Sequence, residues 1–275
     1  MNMKTAVIAI IIAVFLLAAG GFYWRNNYFY KEKQGENNMK NSEMLASKSA
    51  LEVLTEDITY IEGAKGFYAH PAVIGGEMYP GIVMIHEWWG LNDNIKNMAR
   101  QLAGQGYQVL AVDLYRGQVA ITSEDAQKYR NELTADYSEV NLKAAAKFLR
   151  DRNAPKLASL GWCFGGAKSL ELALSGEQLD ATVIYYGKLV TDKTQLQKIK
   201  WPVLGIFGET DQSIPISQVN EFRDALTSLG IQNSVNIYPG VGHAFANPSG
   251  ANFAPEPTKE AWAKTLAFLK ENLKR

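Results

Sequence analysis

Along this chain the spacing of apolar positions changes register repeatedly, and those changes predict its elements. Thr5 to Gly21 is almost wholly apolar, preceded by Lys4 and followed by Phe22-Tyr23-Trp24 and Arg25. From Asn26 to about Ser49 the apolar positions thin out in favour of Asn, Lys, Glu and Ser, which predicts a solvated tether. Beyond it, short apolar runs alternate with stretches of helical spacing. Gly81 to Ile85, Tyr107 to Val112, Pro155 to Leu160, Ala181 to Tyr185, Val203 to Phe207 and Ser234 to Tyr238 read as strands. Asp57 to Ile61 and Gly66 to Ala69 read as two earlier strands around a turn. Asn92 to Ala103, Ser123 to Leu133, Glu139 to Arg150, Ala167 to Leu174, Ser217 to Leu229 and Pro257 to Leu273 read as helices. In the third of these, Val140, Leu142, Ala145, Ala146 and Leu149 make the expected apolar face. Such alternation predicts an α/β fold, a mostly parallel sheet covered by helices on both faces. Chemistry then gathers at the carboxyl ends of the strands.

The predicted organisation is residues 1–24 as a signal peptide or membrane anchor, 25–50 as a polar linker and 51–275 as the folded domain. Small residues Ala18 and Gly20 suit a peptidase, whereas the length and the aromatic trio suit a span, with membrane contact through residues 5–24 if the segment is kept. The expectation is an exported or externally anchored domain. Arg25, Lys31 and Lys33 after the segment favour the cytoplasm-facing alternative. The 28 Lys and Arg balance 28 Asp and Glu, so no basic field exists to hold nucleic acid. One cysteine and three histidines, His70, His86 and His243, form no zinc-like spacing, and no metal or cofactor is expected. A monomer is expected.

Candidate chemistry centres on Leu160-Gly161-Trp162-Cys163-Phe164-Gly165-Gly166, between a predicted strand and a predicted helix. Small residues flanking one nucleophilic side chain at such a turn describe a nucleophile elbow, whose helix aims its free N–H groups and positive dipole end at the nucleophile. Alone, Cys163 could equally be a small buried hydrophobe. The same segment lacks the Lys-Ser/Thr of a phosphate loop. Asp211 and His243 follow the predicted strands ending at Phe207 and Tyr238, giving the chain order nucleophile, acid, histidine. His243 is the expected base and Asp211 its orienting acid, with Glu209 the rival. Taken singly, each could be an ordinary loop residue.

Gly161-Trp162-Cys163-Phe164-Gly165-Gly166, His86-Glu87-Trp88-Trp89-Gly90, Val112-Asp113-Leu114-Tyr115, Tyr185-Tyr186-Gly187 and Gly242-His243-Ala244-Phe245 together resemble the dienelactone hydrolase family, from about residue 55 to the C-terminus. The resemblance implies an α/β-hydrolase fold and a Cys-Asp-His hydrolase cleaving a small-molecule ester or lactone through an acyl-enzyme on Cys163. It implies that Glu87 contacts the resting thiol, and it places the oxyanion hole at the backbone N–H groups of Phe164 and Trp88. Family members that cleave dienelactone hold its carboxylate with two arginines; Arg116 stands near one such position, while Asn247 stands at the other. Tyr115 and Tyr186 are further pocket candidates. A thioesterase, a peptidase or a non-catalytic binding module on the same scaffold are the alternatives.

Overall fold

A computed structural model describes residues 51–72 and 78–274 of the chain. The expected N-terminal hydrophobic helix and linker lie outside the described residues; among the described residues no helix is long and apolar enough to cross a membrane. Eight strands form one sheet: β1 (Val53–Ile61), β2 (Ala64–Pro71), β3 (Gly81–Ile85), β4 (Gln108–Val112), β5 (Leu157–Trp162), β6 (Ala181–Tyr185), β7 (Val203–Gly208) and β8 (Asn233–Tyr238). Their order is β1-β2-β4-β3-β5-β6-β7-β8. The first two pairings, β1 with β2 and β2 with β4, are antiparallel, and all the others are parallel. Every residue of β3 to β7 is buried, which is why these strands read as mainly apolar runs; the buried Gln108, Ser159 and Thr182 among them are hydrogen-bonded.

The helices are α1 (Asp93–Gly104), α2 (Ser123–Glu132), α3 (Ala135–Asp151), α4 (Phe164–Leu174), α5 (Lys193–Leu196), α6 (Ile216–Ser228) and α7 (Pro255–Leu273). Alternate strand residues serve opposite faces of the sheet. Val83 and Ile85 pack with Leu142 and Leu149 of α3, Leu170 of α4 and Phe222 of α6. Ile82 and Met84 pack with Ile95 and Leu102 of α1 and Trp262 and Leu269 of α7. Each such side chain, fully buried, contributes about 1.5–3 kcal/mol of transfer free energy.

Three helices begin earlier than their apolar spacing predicts. Thr134 accepts from the Tyr137 N–H at 3.2 Å and starts α3 four residues sooner. In that helix Val140 is 53% exposed rather than part of the buried face. The inward face carries Ser138 and Asn141 beside Leu142, Ala145, Ala146 and Leu149, and Asn141 is satisfied by the Tyr60 hydroxyl at 2.5 Å. Helix α7 starts at Pro255, whose missing N–H costs nothing at a first turn. Helix α4 starts directly after Cys163. The single turn α5, absent from the sequence-based expectation, is capped by Asp192.

Strand β5 and helix α4 meet so closely that two glycines are required. A Cβ on Gly161 would fall inside the Gly165 carbonyl, and one on Gly165 would strike the Ile85 carbonyl at the end of β3. These obstacles are backbone atoms, which cannot swing aside. Gly161→Ala and Gly165→Ala should therefore each lower the urea midpoint, at a cost of about 1–3 kcal/mol. Unchanged midpoints would mean that the elbow can open without loss.

Candidate active site

Cys163 sits between β5 and α4 with φ +53° and ψ −115°, a conformation that costs a non-glycine residue of order 1–3 kcal/mol. The turn is held from both sides. The Cys163 N–H donates to the Tyr185 carbonyl at 2.9 Å, and its own carbonyl accepts from Ala167 at 3.2 Å. Such strain projects the side chain above the sheet, at the amino end of α4. Phe164 opens that helix, so its N–H has no acceptor one turn back within it.

His243 and Asp211 reach Cys163 from the loops after β8 and β7. The His243 Nε2 lies 3.1 Å from Cys163 Sγ, and its Nδ1 lies 2.8 Å from Asp211 Oδ2. Asp211 is buried, and its other oxygen accepts from the N–H groups of Ser213 at 2.7 Å and Ile214 at 3.1 Å. Burial opposes that charge, yet the hydrogen bond and charge of His243, with these two N–H groups, hold the carboxyl below its ordinary range. For His243 burial likewise opposes protonation. The bonds to Asp211 and Cys163 outweigh it and push the imidazole up to about 10. The two loops are stitched together: Thr210 N–H donates to Val241 at 3.0 Å and Glu209 N–H to Tyr238 at 2.9 Å. Glu209, the rival acid, instead accepts from the Gly240 N–H at 2.9 Å.

The loop after β3 carries His86, Glu87 and Trp88. The Leu114 N–H donates to His86 Nε2 at 3.2 Å, so the ring proton sits on Nδ1 and is donated to the Glu87 carbonyl. Burial pushes this histidine down, toward the neutral form that pattern needs. Glu87 departs from the expectation that its carboxylate contacts the thiol. Its Oε2 accepts from Asn247 Nδ2, while Oε1 is buried with no partner among the described residues. Burial pushes the carboxyl up to about 7, against the charge of His243. Cys163 is hydrogen-bonded by His243 instead.

A cleft of about 610 Å³ opens over these groups, lined by Cys163, Phe164, His243, Tyr186 and Trp88. Tyr186 is fully buried, with its ring centre 5.3 Å from that of His243. Two expected pocket residues lie elsewhere. Tyr115 is buried against His86 and Phe164. Arg116 lies over the Tyr137 ring at 4.3 Å, and both line a separate cavity of about 140 Å³. The cause is local: Asp113 accepts from the N–H groups of Tyr115 and Gly117, a turn that puts Arg116 at φ +54° and aims it away. Asn247, at the other arginine position, is buried on Glu87 and is not among the residues lining the cleft. The cleft's cations are Arg130, Lys168 and Lys188, none of them singled out from the sequence. Only Lys168, five residues beyond Cys163 on its helix, carried a positional signal; it pairs with Glu171 at 2.6 Å. Arg130 arrives from α2, distant in sequence from every strand end.

Comparison with known proteins agrees with this architecture. Residues 65–273 match the model of the dienelactone hydrolase family. The chain is 32% identical over 220 residues to the protein usf of Aquifex pyrophilus, covering 76% of this chain and 94% of that one. It is 28% identical over 228 residues to a Saccharolobus solfataricus protein whose name provisionally makes it a carboxymethylenebutenolidase, covering 69% and 88%. Among solved structures, a dienelactone hydrolase-like promiscuous phosphotriesterase from metagenomic libraries is 26% identical with TM-score 0.66, covering 81% of this chain and 99% of that one. The chain belongs to the dienelactone hydrolase family, α/β-hydrolases of carboxymethylenebutenolidase type that cleave ester or lactone bonds.

Proposed function

We propose that this protein hydrolyses a small-molecule ester or lactone by covalent catalysis on Cys163, with His243 as general base and acid and Asp211 as its orienting group. The observation that carries the reading is the continuous hydrogen-bonded chain from Asp211 through His243 to Cys163 on the wall of a cleft. His243, its imidazole pushed up to about 10, holds the thiol proton as sulfur attacks the carbonyl carbon, and the new oxyanion is held by the N–H groups of Phe164 and Trp88. Collapse of this intermediate breaks the carbon–oxygen bond, and His243 gives its proton to the leaving oxygen. A water then surrenders a proton to His243, attacks the acyl carbon and releases the acid with the thiol restored. Glu87, buried beside this constellation, is the remaining member of the site.

The two-arginine clamp of the dienelactone-cleaving members is not assembled, since Arg116 faces Tyr137 and position 247 is a buried Asn. An anionic substituent would instead meet Arg130 and Lys188 along the cleft, so the named substrate of those members does not carry over. We extend the proposal to an exported or membrane-tethered monomer, with residues 5–24, outside the described residues, as its signal or anchor.

Cys163→Ala should lower p-nitrophenyl acetate turnover by about 10⁴-fold or more and abolish the acyl adduct seen by intact mass. Turnover that survives this change would exclude the thiol mechanism. Asp211→Asn should lower kcat by about 10³–10⁴-fold and bring the His243 titration, followed by NMR, down from about 10 toward or below its ordinary value. The raised value implies a stability contribution fully present below the ordinary histidine value, about 6.5, and lost as pH rises through about 10. The stability gap between wild type and Asp211→Asn should accordingly be widest between about pH 4, above which Asp211 is ionised in both states, and neutrality, and close both in stronger acid and in alkali. For the full-length chain, alkaline carbonate extraction of cells should leave it with the membranes if residues 5–24 are retained as an anchor, and mature N-terminal sequence would identify cleavage.

A further inference from the structure

Asn247 is buried and makes contacts at both ends of its amide. Its Oδ1 accepts from the Ser249 N–H at 2.9 Å and the Ser249 hydroxyl at 2.8 Å. Those donors fix the amide orientation, so Nδ2 has to face Glu87, and it donates to Oε2. A neutral donor of this kind can serve either protonation state of the carboxyl, unlike a cation, which would insist on the carboxylate. The second oxygen, Oε1, is buried with nothing to hold it among the described residues. When Glu87 is protonated that oxygen can carry the proton; when it is ionised the bare oxygen makes the charge expensive. The titratable groups about Glu87 are His243 after β8, Tyr186 after β6 and His86 beside it in the chain, with Cys163 and Asp211 one step further through His243.

We propose that Asn247 is a positioning residue that sets the proton occupancy of Glu87, and through it the charge balance around His243. The proposal rests on the Cys163–His243 reading above. Once the proton of Cys163 is on His243 and the sulfur has attacked the carbonyl carbon, the imidazolium has lost its thiolate partner until it gives the proton to the leaving oxygen. An ionised Glu87 then supplies the second negative charge beside Asp211, so activity rises as Glu87 loses its proton. With its carboxyl pushed up to about 7, the acid limb of the enzyme falls near neutrality, where an exposed glutamate would have placed it near 4.

The test is the pH profile of kcat/KM for p-nitrophenyl acetate, recorded on the full chain over about pH 5–9. Wild type should show an acid limb centred near 7, and Glu87→Gln should lose it. Asn247→Arg, which sets a guanidinium against the carboxylate, should move the limb down by about one pH unit or more. Asn247→Leu, which removes the donor to the carboxylate, should move it up. Ser249→Ala, which loosens the amide's anchor, should move it up by less and decides the matter if Asn247→Leu does not fold. Shifts in opposite directions cannot come from general loosening of the site. A limb that stays put in the folded variants, or moves the same way in all of them, overturns the proposal. Activity surviving Cys163→Ala would instead overturn the thiol mechanism beneath it, so the two failures are distinguishable.

Discussion

The site depends on backbone meeting backbone behind Cys163. Gly161 of β5, Gly165 of α4 and the end of β3 at Ile85 approach one another where no Cβ can be placed. Gly166 and Gly187 repeat the arrangement one strand over, where a Cβ on Gly166 would lie 2.5 Å from the Tyr185 carbonyl. Those approaches force the chain to reverse from strand to helix within one residue, and that residue takes the strained conformation. The sheet can sustain this because its five central strands are buried throughout and hold β5 between β3 and β6. The strain at Cys163 is held by these backbone approaches together with the bonds of its own N–H to Tyr185 and of Ala167 to its carbonyl.

On that platform two buried carboxyls meet different fates. Asp211 has a partner for each oxygen: His243 on one side, two backbone N–H groups on the other. It therefore stays ionised despite burial. Glu87 is equally buried but has a donor on only one oxygen, and its carboxyl is pushed up to about 7. The contrast follows from counting donors, since a carboxylate withdrawn from water must recover its hydrogen bonds or take a proton. One acid is built to be a fixed charge; the other is poised to change its charge within the working range of an enzyme.

How much of this was legible in the sequence depends on the range over which each signal acts. Strands β3 and β6 match their predicted runs residue for residue, because burial on both faces keeps them almost wholly apolar, Thr182 being the one polar residue. Cys163, Asp211 and His243 follow strand ends in the order read from the chain and are hydrogen-bonded together, since the elbow glycines and the turn residues act locally. Helix α3 was misread at its start because Thr134 caps it through a side-chain bond that apolar spacing does not register. Val140 was misplaced and Asn141 overlooked for a related reason: the inward face includes a polar residue whose partner, Tyr60, lies 81 positions away. Glu87 and Asn247 are 160 positions apart, so their bond could be seen only once the loops were folded together.

The substrate-facing residues were the least legible, and the fold explains why. Strand ends converge on the scissile bond because the sheet fixes them, so chemistry can be read from motif and order. The cleft walls include residues of α2, α4 and the segment after β6, at positions that no strand-end motif marks in the sequence. Arg116 illustrates the consequence. Its neighbours match the family's pattern, yet a local turn built on Asp113 aims it at Tyr137 and into another cavity. Cationic character returns to the cleft through Arg130, Lys168 and Lys188, of which Lys168 shares α4 with Phe164 while Arg130 comes from α2 and Lys188 from the segment after β6. The elbow is thus legible because backbone packing there admits no side chain, whereas the cleft walls are built from positions that carry no such local signature.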